Sequence, residues 1–512
     1  MTILDGFLKS GVSKATENTA SFGIVLAKDQ SGDDLARQFL AQYPQTPIEV
    51  TSVFESKDGE LSRCVILSIP GLSFDGDRVN PFDICYALKD ALHVAKIAPL
   101  TSGFELPVTP EAEPTLLENL NPENQDYEWH LKQLRLPQAW EISQGRGVLI
   151  GQPDTGYADH HLLTNAVDRR LGCNILEGGF PDDRLLPFPN FGGHGVSTAS
   201  TATSRGRDAQ KSVRGAAPMA TVLPVRCTDS VIISVFNSRH IAKGIEKAVN
   251  EGADVMSISL GAVGLFDLFI DPAIAHGLRH SVIFVAAAGN VPGILTYPGN
   301  NGACTCVGGS SAWEKPWILS GNGWELDVSA PASPIWRALR QHGDADNPER
   351  TRLVEASEGT SYSAAMVGGL AALWVGHHGK QNLVSRYGHN LTYAFKTAVR
   401  DSARRPSTWP REAYFGKGIA DAHALLRAPL PRTITSEIGD FADERRTHLL
   451  EILRREWGDS IDFSNEEIDL YRYELQLHLS YKQYEKYGQG DKLYQRPPLS
   501  SRLRERAEIL LT

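Results

Sequence analysis

Residues 148–156 read VLIGQPDTG, an apolar run that ends in an aspartate and a tight turn. The run reads as a short buried strand, and similar runs recur at 222–223, 255–260 and 282–287. Between two of them, residues 238–251 carry a helical pattern. Strands buried on both faces and alternating with helices argue for an α/β fold, a mostly parallel sheet flanked by helices, over about residues 129–428. Two other segments in this region stand out. Residues 192–201 read GGHGVSTAST, a histidine between glycines at the entrance to a small-residue helix, and residues 358–370 read EGTSYSAAMVGGL, a serine after a glycine turn that opens another helix. Each is weak alone. A DTG tripeptide also occurs in aspartic proteases, a lone histidine is bland, and S-x-S at a helix start is usually a cap.

Upstream, residues 20–100 alternate short apolar runs with helical patterns in the order βαββαβ. Strands are expected at 24–26, 48–54, 64–69 and 94–98. Helices are expected at 33–43 and after the N-cap and first-turn proline Asn80-Pro81. That order suggests a small ferredoxin-like domain. Residues 101–128 hold four prolines and seven acidic residues with no Lys or Arg, an extended, self-repelling linker. Downstream, residues 432–512 are charged and helical. Leu450, Leu453 and Trp457 share one face, as do Ile468, Tyr471, Leu475 and Leu479, and Ser464 with Glu467 makes a capping box. This tail packs on the α/β region or binds a protein partner.

The 512 residues are 41% hydrophobic and 22% charged, which allows a large core and excludes a wholly disordered chain. A net charge of −10 argues against a nucleic-acid partner. The opening residues lack a basic and then apolar leader, and the longest weakly polar stretch, 363–376, falls short of the ~18 residues that span a bilayer. The mixed charge of the tail argues against a membrane helix. Six scattered cysteines, with no further soft ligands near Cys304 and Cys306, read as reduced structural thiols. The expectation is a cytoplasmic chain.

Taken together, in the order Asp…His…Ser on an α/β background, the three segments resemble the subtilisin-like serine proteases. Further matches lie between them: residues 129–140 (WHLKQLRLPQAW), His161 seven positions after the aspartate, 214–218 (RGAAP), 257–261 (SISLG), 285–290 (VAAAGN), 325–331 (ELDVSAP) and 415–425 (FGKGIADAHAL). The resemblance spans about 300 residues. It implies a serine endopeptidase working through an acyl-enzyme, with Asp154, His194 and Ser361 as triad and Asn290 as oxyanion-hole asparagine. Substrate would lie along Ser259, Leu260 and Gly261, its P1 side chain between that strand and Ala287, Ala288 and Gly289, with Thr296 at the pocket bottom and a medium-sized, uncharged P1 side chain preferred. The N-terminal βαββαβ order resembles the family's pro-domain, which blocks the cleft until cut away. A chain held inactive until a partner or ligand acts fits equally. No cofactor is implied. No metal is expected either: Leu163 stands where the family's calcium-binding aspartate would, and residues 210–214 hold two cations and no carboxylate.

The chain departs from the family pattern at several positions. Pro153 precedes the aspartate and removes a ladder N–H. Tyr362 follows the serine where methionine is common, and its ring is expected to narrow the leaving-group side of the cleft. Ala365 replaces a usual proline, and residues 332–358 look longer than their counterpart. Two competing readings are a sedolisin-like acid peptidase, which pairs its serine with glutamate, and an inert protease fold serving as a scaffold. The histidine between glycines counts against the first.

Overall fold

The computed structural model describes residues 4, 7, 8, 19–72, 74, 80–100, 126–187, 191–206, 213–234, 237–262, 267–341, 351–411, 413–434, 442–487 and 498–511. The linker expected at 101–128 lies outside the described residues except for its last three, and so do residues 210–212, Tyr494 and Pro497.

The N-terminal unit comprises β1 (Thr19–Val25), α1 (Gly32–Gln42), β2 (Glu49–Ser52), β3 (Cys64–Pro70), α2 (Pro81–Leu92) and β4 (Lys96–Pro99). Its strands pair antiparallel in the order β2-β3-β1-β4. Local chemistry starts both helices. Ser31 and Asp34 form a capping box for α1, and Asn80 accepts from the Phe82 N–H ahead of α2, with Pro81 in its first turn. Phe22, Ile24, Leu35, Phe39, Leu67, Ile84 and Leu88 fill the space between sheet and helices.

The central sheet is built from β5 (Leu149–Asp154), β6 (Cys173–Asn174), β7 (Thr221–Arg226), β8 (Val255–Ile258), β9 (Ile283–Ala287), β10 (Thr305–Ser311) and β11 (Val328–Ser333). All its pairs are parallel, in the order β11-β10-β9-β8-β5-β7-β6. From β5 the chain builds outward one way to β7 and β6. It then returns to β8 and builds the other way to β11. Such a reversal leaves a crevice at the carboxyl ends of the strands, between β5 and β8. Asp154 is the last residue of β5 and stands at that point. Pro153 is tolerated because β8 pairs with β5 only at Ile150 and Gly151, short of the proline.

Helix α3 (His194–Thr203) precedes β7, and α4 (Ser238–Asn250) and α5 (Ile270–Arg279) precede β8 and β9. Helix α6 (Thr360–His378) is buried from Tyr362 to Val375. Its small residues explain how it fits. A Cβ on Gly368 would stand 3.1 Å from Ser257 Oγ, and one on Gly369 only 2.6 Å from the Ala216 Cβ and 3.2 Å from the Ala202 carbonyl oxygen. Residues 332–358, left without a role by the sequence, contribute the antiparallel hairpin β12 (Ile335–Ala338) and β13 (Val354–Ser357). The hairpin is pinned to α3 at Ala338, whose carbonyl accepts from Ser197 Oγ (2.9 Å) and whose N–H donates to Ser200 Oγ (3.0 Å).

The tail forms α7 (Ala442–Trp457), α8 (Asn465–Tyr487) and α9 (Ser501–Leu511), with the Ser464–Glu467 capping box present. Ile468, Tyr471, Leu475 and Leu479 are buried as the periodicity indicates, but so are Tyr473, Leu477 and Tyr481. One-sided burial was the expectation; α8 is covered on more than one side. It shares a core with Val25, Phe82 and Tyr86 of the N-terminal unit and with Leu268, Phe269, Ile270 and Ile274 around α5. Glu474 of α8, 1% exposed, accepts from Tyr86 Oη (2.7 Å), Ser500 N–H (2.6 Å) and Ser500 Oγ (2.8 Å). Around it, Asp83 accepts from the Ser501 N–H and hydroxyl, and Arg502 pairs with Asp90. On its other side the N-terminal unit meets α4 and α5. Glu246 accepts from the backbone N–H of Ser56 (2.7 Å) and Glu55 (3.3 Å), and Gly23 lies against Leu268 and Phe269.

Burial pushes the Glu474 carboxyl up to about 6 from an ordinary 4.5, against the hydrogen bonds that favour its charge. A folded-state value above the unfolded one means the neutral acid is the stabilising form. Its contribution is complete below about pH 4.5 and lost as pH rises through 6, a change of about 2 kcal/mol. Glu474→Gln is therefore expected to match the parent at pH 4 and to exceed it by about 2 kcal/mol at pH 7.5. Hydrogen exchange of the α2 amides measures this.

Candidate active site

The crevice residue Asp154 is 1% exposed and fully engaged. Its Oδ1 accepts from the Thr155 N–H and from His194 Nδ1, each at 2.7 Å, and Thr198 Oγ1 lies 3.2 Å from its Oδ2. Because a carboxylate oxygen accepts, His194 Nδ1 carries the proton of this bond, and in the neutral ring the lone pair is on Nε2. Thr198 is one helical turn beyond His194 on the same face of α3, and Gln152 Nε2 donates to its hydroxyl (2.8 Å). Across the β5–β7 pairing, Arg226 is in register with Asp154 and gives its guanidinium to Glu177 and Asp229.

Ser361 occupies the first turn of α6, beside Gly359, whose φ of 152° admits glycine readily. Its backbone N–H is among the first-turn donors that no helical carbonyl reaches. Its Oγ donates to the Ser259 carbonyl (3.2 Å), while Ser259 Oγ donates to the Ser361 carbonyl (2.9 Å). Asn290, at the end of the segment following β9, is exposed. Its Oδ1 accepts from the Thr360 N–H (3.0 Å) and from Thr360 Oγ1 (2.8 Å), and Thr360 Oγ1 accepts from the Gly289 N–H (3.1 Å). With Oδ1 held, the amide Nδ2 lies beside Gly359, 3.5 Å from where a Cβ on that glycine would stand. The structure thus joins Asp154 to His194 by a hydrogen bond, and gathers Asn290, Thr360, Ser361 and Ser259 into one network.

The groove residues are adjacent too. Thr296 fills the slot between Gly261 and Gly289: a Cβ on either glycine would come within 2.7 Å of its side chain. Its N–H donates to the Ala288 carbonyl, and its hydroxyl lies 3.4 Å from the Ala287 carbonyl. The backbone of Gly261 is already paired. Its N–H donates to the Val231 carbonyl (3.0 Å) and its carbonyl accepts from the Ile233 N–H (2.8 Å). Leu260 is buried.

One expectation needs correction. Tyr362 is 4% exposed, packs in the core and accepts from Arg337 Nε (3.2 Å), so its ring is not a cleft wall. It belongs under the hairpin that extends residues 332–358. The glycines flanking His194 admit neighbouring backbone. The Arg340 carbonyl would sit 1.7 Å from a Cβ on Gly193, and the Gly156 carbonyl 2.2 Å from one on Gly195. Thr155, Thr198 and Thr360 escaped the sequence reading. Their signal was adjacency: each lies next to, or one helical turn from, a residue already singled out.

A profile of the subtilase family matches residues 145–410, just over half of the chain. The chain belongs to the subtilase family. Thermitase from Thermoactinomyces vulgaris is 28% identical over 244 residues, covering 47% of this subtilase and 80% of thermitase. Subtilisin E from Bacillus subtilis is 28% identical over 287 residues, 53% of this chain and 67% of its own. The same organism's major intracellular serine protease is 27% identical over 252 residues, with 48% and 73% covered. Among solved structures, fervidolysin from Fervidobacterium pennivorans superposes over 82% of this chain and 63% of its own, with a TM-score of 0.58 and 18% identity, a likeness of fold. This subtilase is a serine endopeptidase.

Thr360 holds Asn290 through its hydroxyl as well as its backbone. Thr360→Val should cost about 1.4 kcal/mol, roughly tenfold in kcat with KM unchanged, and Thr360→Ser should restore the rate. Steady-state kinetics on a chromogenic peptide test both.

Proposed function

We propose that Ser361, His194 and Asp154 act as nucleophile, general base and orienting carboxylate in peptide-bond hydrolysis. The observation that supports this most directly is the Asp154–His194 hydrogen bond, which engages Nδ1 and assigns the base role to Nε2. A serine hydroxyl is a weak nucleophile at neutral pH and needs such a base. In the proposed cycle, Ser361 Oγ leaves the Ser259 carbonyl and attacks the substrate carbonyl as His194 Nε2 takes its proton. The negative oxygen forms between Asn290 Nδ2 and the Ser361 N–H. His194 then returns the proton to the leaving amine, and water repeats the sequence on the acyl-enzyme.

Substrate runs along Ser259, Leu260 and Gly261 in this reading, with the Val231–Ile233 segment exchanged for substrate at Gly261. The P1 side chain enters between Ser259–Gly261 and Ala287–Gly289 and ends on Thr296. The short slot supports an uncharged side chain of small to medium size. Residues 20–100 are read as a pro-domain-like domain on the catalytic region, 129–428, and 432–512 as an appended helical domain. Docking on α4 and α5 through Glu246 supports a restraining role for the first. Restraint ends with a cut in 101–128 or with a partner that acts on the uncut chain. The six cysteines, all free thiols, support a cytoplasmic location, where protein or peptide would be the substrate.

Ser361→Ala should abolish labelling by a fluorophosphonate probe and lower turnover by roughly 10⁶. Unaltered labelling would defeat the mechanism. Asn290→Ala should cost roughly 10²–10³ in kcat. Thr296→Gly should raise kcat/KM for a phenylalanine at P1 relative to alanine by roughly tenfold, read from paired peptide substrates.

A further inference from the structure

The Asp154–His194 bond joins two separate elements, the end of β5 and the start of α3, so something must fix one against the other. Asp183 stands between them. Its Oδ2 accepts from Thr155 Oγ1 (2.7 Å), on the residue after Asp154, and from the Gly193 N–H (2.8 Å), on the residue before His194. Its Oδ1 accepts from the Leu185 N–H (2.7 Å). The Thr155 hydroxyl in turn accepts from the Gly195 N–H (3.1 Å), on the residue after His194. The aspartate is itself anchored to the turn it serves. The Asp183 N–H donates to the Tyr157 carbonyl (2.9 Å), and the Tyr157 N–H to the Pro181 carbonyl (2.8 Å). One carboxylate and one hydroxyl thus reach both neighbours of His194 and the residue following Asp154.

We propose that Asp183 is a positioning residue for the catalytic pair. Its carboxylate, relayed through the Thr155 hydroxyl, locks the β5 turn to the first turn of α3 and so sets the length and direction of the Asp154–His194 hydrogen bond. The proposal rests on the triad reading above. The chemistry of the site suits this role. The oxygens receive three hydrogen bonds from groups that can only donate or that already accept elsewhere, so an acceptor-only side chain is required. Burial raises the Asp183 carboxyl above its ordinary value while the donors from Thr155, Leu185 and Gly193 lower it, with the nearby Asp154 charge raising it again. The group keeps two donors from separate elements on one oxygen, the geometry that a tie between elements needs. Its neighbour Asp182 faces outward and pairs with Arg169.

The test uses the full chain. Asp183→Asn turns an N–H toward donors and should lower kcat roughly 10²-fold with KM within about twofold, the signature of a misplaced base, since Asp183 is not a groove residue. Thr155→Val should lower kcat roughly tenfold, Thr155→Ser should restore it, and Asp183→Asn combined with Thr155→Val should be no worse than Asp183→Asn alone. Asp182→Asn should match the parent. If Asp183→Asn does not fold, as judged by a missing cooperative thermal transition, the Thr155→Ser and Thr155→Val pair decides. The proposal is overturned by an Asp183→Asn kcat within threefold of the parent, by a loss confined to KM, or by equal rates for Thr155→Val and Thr155→Ser. Fluorophosphonate labelling of the parent at Ser361 separates the two levels: failure there sinks the triad reading, whereas labelling with indifferent variants sinks only the role of Asp183.

Discussion

The candidate active site depends on how closely two elements approach, a helix at His194 and a helix at Ser361. Helix α3 carries His194 and α6 carries Ser361, and they come together where Gly369 admits the Ala202 carbonyl and the Ala216 methyl. A side chain at that position would hold the helices apart, and a well-packed interior does not absorb such an insertion without shifting its neighbours. The same helix rests on β8 through Gly368 and Ser257. The serine is thereby referred to the sheet whose other central strand delivers Asp154. Two small residues in the middle of a long buried helix fix the distance between groups far apart in sequence.

Around that contact the site is a set of short polar tethers. Thr198 and Gln152 support Asp154 from α3 and β5, Thr360 holds Asn290 by its side-chain carbonyl oxygen, and Ser259 and Ser361 exchange hydroxyl-to-carbonyl bonds. Each tether joins two elements, so the arrangement is stiff where chemistry needs it. Hydroxyls suit such places because each can donate and accept at once. That accounts for the density of serine and threonine in GGHGVSTAST and GTSYS, where ordinary helix-forming residues would have served folding better.

Much of the architecture was legible because it is written in local patterns. The apolar run at 148–150 and those at 222–223, 255–260 and 282–287 specify strands buried on both faces. Ser31 with Asp34, Asn80 with Pro81 and Ser464 with Glu467 start helices by contacts within one turn. The aspartate, histidine, serine and asparagine stood out through their glycine-rich surroundings. What stayed hidden depends on long-range packing. Nothing near Tyr362 in sequence announces that the hairpin of β12 and β13 will cover it, and nothing in α8 announces that Tyr473 and Tyr481 will be buried opposite Ile468. Asp183 was equally silent: it sits in a loop, and its partners at 155 and 193 are near it only in the fold.

The union of the N-terminal unit with the tail also bears on the order of events at the ribosome. Asp83 meets Ser501, and Tyr86 meets Glu474, across 418 and 388 positions of chain. Residues 19–99 can build their own sheet and cover Ile84 and Leu88 early, yet Phe82 and Tyr86 on the other flank of α2 have no cover until Tyr471, Leu475 and Leu503 leave the exit tunnel. During elongation at about 5–20 residues per second, that surface waits tens of seconds for its partner. Closure waits until Glu474, Ser500 and Ser501 have been made, so a transcript that stops before them yields a product with that flank bare.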